Sequence, residues 1–133
     1  MITPPPAILA AILAAATATN SSPDLLQAIA WTESRYNHLA ESSTGAQGLF
    51  QISRVTGKVY GLTKPFEARA NAEVAARLLQ DLRRRYPLHV ALAAYNWGSG
   101  NIRRRGHHPD NWPASVRAYV KKIYRLQRHR APF

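Results

Sequence analysis

The sequence predicts an all-α protein, and three observations predict it. Apolar residues recur every three or four positions through most of the chain. Helix start and stop signals bracket those stretches, as at Ser22-Pro23 and Gly98. No run of alternating apolar and polar residues long enough for a strand interrupts them. A chain of 133 residues with 46% hydrophobic content suits one domain with a core of its own, and disorder is excluded.

The first helix is expected over about residues 6–19, where Pro4 to Pro6 lead into Ala-rich sequence of high helix propensity. This stretch also resembles a short signal-peptide core. No Lys or Arg precedes it, so a structural helix is favoured over an export signal. It is too short to span a bilayer, so no stable membrane insertion is expected. The second helix starts with Ser22 as N-cap, Pro23 in the first position and Asp24 in the first turn, and ends near Arg35. The polar stretch "NHLAESSTGAQG" follows, then a short segment around "LFQIS" and loops near Gly57, Gly61 and Pro65. Residues 67–85 form a long helix with Val74, Leu78 and Leu82 on one stripe. Another helix follows Pro87 and stops at Gly98. The stretch 98–113 is expected to be turn-rich and flexible. A last helix covers 114–128, with Val116, Val120 and Ile123 in line and a basic face, including Arg117, mostly opposite.

The net charge of +11 is uneven. Residues 1–82 carry six basic and six acidic side chains, whereas residues 83–133 carry twelve basic residues and only Asp110. Such a field implies an anionic partner: nucleic acid, an acidic membrane surface or an acidic cell-wall polymer. There are no cysteines, so disulfides and thiolate metal sites are excluded. His38, His89, His107, His108 and His129 form no HExxH motif and are expected to face solvent, so no metal site is assigned. "TGK" at 56–58 lacks the upstream glycine of a P-loop, and "GSGNIR" follows no strand.

Glu33 is the residue out of place. It lies four residues past Ile29, seven past Leu26 and eight past Leu25, which puts a carboxylate on the apolar face of the second helix. Burial and the nearby helix C-terminus both favour its protonated form, which suits a general acid. Helix position alone favours a structural glutamate paired with an arginine, Arg35 or one farther off. The sequence that follows changes the balance. "ESRYNHLAESSTGAQGLFQIS" and "AYNWGSGNI", with Asn71 in the long helix and "SVRAYVKKI" near the end, resemble the motifs of the goose-type lysozyme and soluble lytic transglycosylase superfamily. The matching residues are Glu33, Ser34, Tyr36, Ala40, Ser42, Gly45, Ala46, Gly48, Leu49 and Gln51, then Ala94, Tyr95, Asn96 and Gly98, then Arg117, Tyr119 and Val120. The resemblance covers about residues 20–124.

The resemblance implies a lysozyme-like helical domain over 1–133 that cleaves the β-1,4 bond between N-acetylmuramic acid and N-acetylglucosamine in peptidoglycan. Glu33 would be the catalytic acid and base, and Ser42, Gln51, Tyr95, Asn96 and Tyr119 would contact substrate. Gly45 and Gly48 would let the loop fold close under a sugar. Each contact residue has a plainer reading: Ser42 and Gln51 as loop hydrogen bonders, Tyr95 and Tyr119 as core aromatics.

No second carboxylate stands out among Asp24, Glu41, Glu67, Glu73, Asp81 and Asp110, although Asp110 is the best outside candidate. A single acid fits a lytic transglycosylase, which forms 1,6-anhydro ends without metal or cofactor. Ser115 and Val116 stand where members of that branch often carry Glu and Thr, which keeps hydrolysis by water, as in lysozymes, as an alternative. A basic nucleic-acid-binding domain and a catalytically silent wall-binding protein are the other classes. On the favoured reading the partners are peptidoglycan strands and, through the basic C-terminal half and residues Arg125, Arg128 and Arg130, the anionic envelope. The protein would be a monomer with no nucleic-acid partner. It would act in the bacterial periplasm or cell wall, as a phage lysis or virion-associated enzyme or a small secreted bacterial one.

Overall fold

The computed structural model describes residues 3–133. Met1 and Ile2, which belong to the 1–133 domain expected from the sequence, lie outside the described residues. Among the described residues seven α-helices and one short 3-10 turn follow one another, and the extended pairing consists of two isolated bridges, Glu41 with Gln47 and Gln47 with Ile52. The chain divides into two compact units, residues 1–77 and 78–133. No helix among the described residues is long and apolar enough to cross a membrane.

In the first unit, α1 (Pro6–Thr19) and α2 (Pro23–Ser34) pack together. Ile8, Ile12, Ala15 and Ala16 recur at helical spacing and bury one face of α1. Asn20, in the left-handed conformation, ends it, and the Ser21 N–H returns to the Ala16 carbonyl at 2.9 Å. The α2 cap is the expected one, with Ser22 Oγ accepting from the Leu25 N–H at 3.3 Å. Leu25, Leu26, Ala28, Ile29 and Ala30 are buried, each large side chain stabilising the unit by about 1.5–3 kcal/mol.

The region expected to be loops around Gly57 contains α3 (Arg54–Val59), capped by Ser53 Oγ accepting from the Thr56 N–H at 3.1 Å. Its outward Val55 and Val59 hide the helical period that a sequence reading depends on. The long helix α4 (Ala68–Arg85) buries Val74, Ala75, Leu79 and Leu82, while Leu78 is only half-buried.

In the second unit, α5 (Leu88–Trp97) packs on α6 (Ser99–Arg105) and on α7 (Ala114–Leu126). The stretch expected to be flexible is therefore ordered: α6 occupies its first half and a 3-10 turn, Pro109–Asn111, its second. Three glycines and an arginine triplet conceal a helix with one apolar anchor, the fully buried Ile102. The Asn101 side chain donates to the Trp97 carbonyl at 2.6 Å and ties α6 to the end of α5. Val116, Val120 and Ile123 of α7 are buried as expected. Arg117 departs from its expected place on the exposed basic face. It is half-buried, and its guanidinium donates to the carbonyls of Pro109 and Trp112, clamping the 3-10 turn.

Candidate active site

Glu33 occupies the last turn of α2. The face it shares begins sealed, with Leu25, Leu26 and Ile29 at 5%, 1% and 1% exposure, and opens toward its end, where Glu33 is half-buried. The carboxylate is thus less deeply placed than helix position suggested, because the stripe reaches the surface before the helix ends. The chain then reverses sharply: Arg35 and Tyr36 both adopt left-handed backbone, at φ 52° and 65°. Arg35 lies over the Trp31 ring at 5.0 Å, and Trp31 meets the buried Tyr36 ring at 5.2 Å. Burial pushes the Tyr36 hydroxyl pKa up, so it stays protonated.

Ser34 connects this helix to the loop. Its Oγ bonds the Leu49 carbonyl at 2.7 Å and lies 3.2 Å from the Ala30 carbonyl. Loop residues 40–52 fold on themselves. The Gly48 N–H reaches the Ala40 carbonyl at 2.8 Å, and Gln47 and Ile52 exchange two backbone bonds at 2.9 and 3.0 Å. Leu49 and Phe50 are fully buried beneath them. Asn71 holds the whole from α4. It is fully buried, its Oδ1 accepts from the Phe50 N–H at 2.8 Å, and its Nδ2 donates to the carbonyls of Gln47 and Pro65, each at 2.9 Å. Gly48 also has a reason within the scaffold. A Cβ there would lie 2.2 Å from the Pro65 oxygen and 2.4 Å from Asn71 Nδ2, so the close approach is to the scaffold.

Ser42 and Gln51 are brought together in this loop. The Ser42 hydroxyl accepts from the Ala46 N–H and meets Thr44 Oγ1, both at 3.0 Å, so it works as a loop hydrogen bonder. Gln51 Nε2 donates to the carbonyls of Ala40 at 3.1 Å and Gly48 at 2.9 Å. Both amide protons are taken, so the acceptor Oε1 is the end a ligand would meet. Glu41 pairs with Arg54 at 3.1 Å on the surface.

In the second unit, Tyr95 is half-buried and Asn96 exposed at the end of α5, which Gly98 closes at φ 100°. Tyr119 is half-buried on α7 between the buried Val116 and Val120. Asp110, the outside candidate for a second carboxylate, points into solvent 3.6 Å from His108. Two histidines are not the solvent-facing residues expected. His38 Nδ1 bonds the Phe66 carbonyl at 2.9 Å. His89 packs between Trp112 and Phe133 in a pocket of about 470 Å³, where burial lowers its pKa. Among the described residues no cluster of three His, Cys, Asp or Glu could hold a metal ion. The positioning residues that a motif reading passed over are Ser34 and Asn71. Both stand in the sequence pattern, but their roles rest on contacts across many residues of chain.

The profile of the Transglycosylase SLT domain matches residues 10–116. A membrane-bound lytic murein transglycosylase F of Pseudoalteromonas translucida is 33% identical, over 79% of this chain and 26% of that protein. The protein of that name in Salmonella choleraesuis is 36% identical, over 66% of this chain and 20% of its own. The crystal structure of the 70 kDa soluble lytic transglycosylase of Escherichia coli superposes with a TM-score of 0.72 at 23% identity, covering 88% of this chain and 23% of that one. A 70-kDa soluble lytic transglycosylase in complex with bulgecin A superposes with a TM-score of 0.73 at 21% identity, over the same shares. The chain spans about a quarter of the length of the relatives it matches. The fold is therefore the helical one expected from the sequence motifs.

Proposed function

The chain belongs to the Transglycosylase SLT domain family, and from that premise we propose that it cleaves peptidoglycan glycan strands as a lytic transglycosylase. The supporting observation is the setting of Glu33: a half-buried carboxylate at the open end of an apolar helix face, one residue from the Ser34 bond to the loop. Glu33 protonates the glycosidic oxygen between N-acetylmuramic acid and N-acetylglucosamine as the bond to the muramic acid C1 breaks. The substrate's own N-acetyl group supports the positive charge at C1, in place of a second carboxylate. Glu33, now ionised, takes the proton from the muramic acid C6 hydroxyl as that oxygen closes on C1, giving a 1,6-anhydro end. The reaction so written uses no metal and no cofactor.

Gln51 Oε1, the Ser42 region of the loop, Tyr95, Asn96 and Tyr119 are the proposed sugar contacts. The whole chain acts as one monomeric catalytic domain at the bacterial cell wall, and its basic C-terminal half draws it to the anionic envelope. The relatives named above are bacterial proteins, and none is from a phage.

The test is digestion of purified sacculi followed by mass spectrometry of the soluble products. The native protein is expected to release anhydro-ended fragments. Glu33→Gln is expected to lose on the order of a thousandfold in rate while melting within a few degrees of the native protein. Reducing ends would assign the second step to water and the enzyme to the lysozymes. A Glu33→Gln variant that keeps a tenth or more of the activity would remove Glu33 from the mechanism.

A further inference from the structure

The positive charge of this protein has a location that its distribution along the chain does not reveal. Residues 78–133 hold twelve basic residues and two acids, Asp81 and Asp110. Asp81 bonds Arg84 at 2.6 Å, and Asp110 lies beside His108. Arg83, Arg84 and Arg85 end α4, Arg103, Arg104 and Arg105 end α6, and all six are exposed. Tyr86 directly follows the first triplet, and His107 stands two residues past the second. Their rings meet edge to face at 5.0 Å, which brings the two helix ends to one place. Arg85 lies over the Tyr86 ring at 5.7 Å, and Arg103 and Arg104 bond Ser99 and Asn101 at 3.4 and 2.6 Å. Both triplets sit at the negative ends of helix dipoles, which eases their crowding from within. Asp81 offsets part of the first triplet through its bond to Arg84.

The arrangement separates possible partners. Neighbouring residues on a helix are about 100° apart, so each triplet splays over roughly 200° instead of lining a stripe that would follow one strand. Tyr86 and Trp112 are buried, so neither offers a face on which a base could stack, and the rings left near the triplets are the exposed His107 and the half-buried Tyr124. Among the described residues the exposed large apolar side chains, Leu13, Leu39, Val55 and Val59, all lie in residues 1–77, so the second unit by itself has charge without an inserting wedge. Splayed guanidinium groups on two adjacent helix ends fit a plane of phosphates better than a groove.

We propose that the two arginine triplets form a single docking face for an anionic phospholipid surface, holding the enzyme at a membrane without insertion. This rests on the envelope setting proposed above only for where such a surface is met. The experiment therefore contains no glycan, so that it fails or succeeds independently of the enzymatic reading. The full chain is sedimented with vesicles of equal parts phosphatidylglycerol and phosphatidylcholine, or of phosphatidylcholine alone. Binding to the anionic vesicles only is expected, lost as salt is raised to about 0.5 M. R83Q/R84Q/R85Q and R103Q/R104Q/R105Q should each weaken it by on the order of a hundredfold, and the corresponding Arg→Lys variants should keep it. Three outcomes overturn the proposal: equal binding to both vesicles, an equal loss in R125Q/R128Q/R130Q, or preference for duplex DNA over the anionic vesicles at the same salt.

Discussion

Replacing Asn71 tests how much of the candidate site depends on one side chain of α4. Asn71→Leu preserves the approximate volume and removes three hydrogen bonds. The Gln47 carbonyl keeps its bond from the Ile52 N–H at 3.0 Å, so the loss falls on the two groups that give up an Asn71 bond without that second one, the Phe50 N–H and the Pro65 carbonyl. At roughly 1–3 kcal/mol for each buried unsatisfied group, the loss centres on about 4 kcal/mol. Set against a total of about 5–15 kcal/mol for a typical domain, that is a drop in melting temperature of roughly 12–20 °C. Asn71→Asp makes a sharper test. Its carboxylate still accepts from Phe50 but turns lone pairs toward the other two carbonyls, so the folded state favours its protonated form. A pKa raised on folding gives stability that is present below the unfolded value, about 4, and is lost as pH rises through the folded one. Urea denaturation followed by circular dichroism at pH 4 and pH 7, each against the native protein, measures both variants. A Leu variant within about 1 kcal/mol of native, or an Asp variant with no extra loss at pH 7, refutes the reasoning.

Gly48→Ala places a methyl group 2.2 Å from the Pro65 oxygen at φ +83°. It should cost about 3 kcal/mol or more in a denaturant titration, since strain and displaced bonds add. Ser34→Ala removes the 2.7 Å bond to Leu49. It should cost only about 1 kcal/mol of stability yet slow sacculus digestion severalfold, and an unchanged rate would deny Ser34 a positioning role. For His89, burial lowers the folded pKa. Its contribution is therefore full above the ordinary value near 6.5 and is lost as pH falls through the depressed one. The urea midpoint should decline on acidification across that window, and His89→Phe should flatten the decline.

The legible parts of the fold are those governed by local rules. The α1 boundaries agree with the predicted 6–19 because alanine propensity and a proline at the first position act within a few residues. α6 was hidden because its burial depends on a single residue, Ile102, and on the Asn101 bond to Trp97. At the candidate site, the face that carries Glu33 follows from periodicity, but its partial exposure does not. That depends on where the stripe emerges from neighbouring structure. Asn71 and Gly48 stood in the sequence pattern without a reason. The reason is a contact between residues far apart in the chain, which no local pattern encodes. His89 and Arg117 misled for the opposite cause: residue types that usually face water were recruited to pack an aromatic pocket and to clamp a turn.

The way the 40–52 loop is held separates its shape from its chemistry. Asn71 and Gly48 set the backbone course from beneath, while the side chains of Glu41, Ser43 and Thr44 face outward and are exposed. Substitutions at those outward positions change what the loop presents, together with the surface contacts of Glu41 with Arg54 and Thr44 with Ser42, but leave the support from Asn71 and Gly48 in place. On the function proposed above, the loop is thus a surface on which selection, or an engineer, would retune preference for differently decorated strands while the scaffold stays constant.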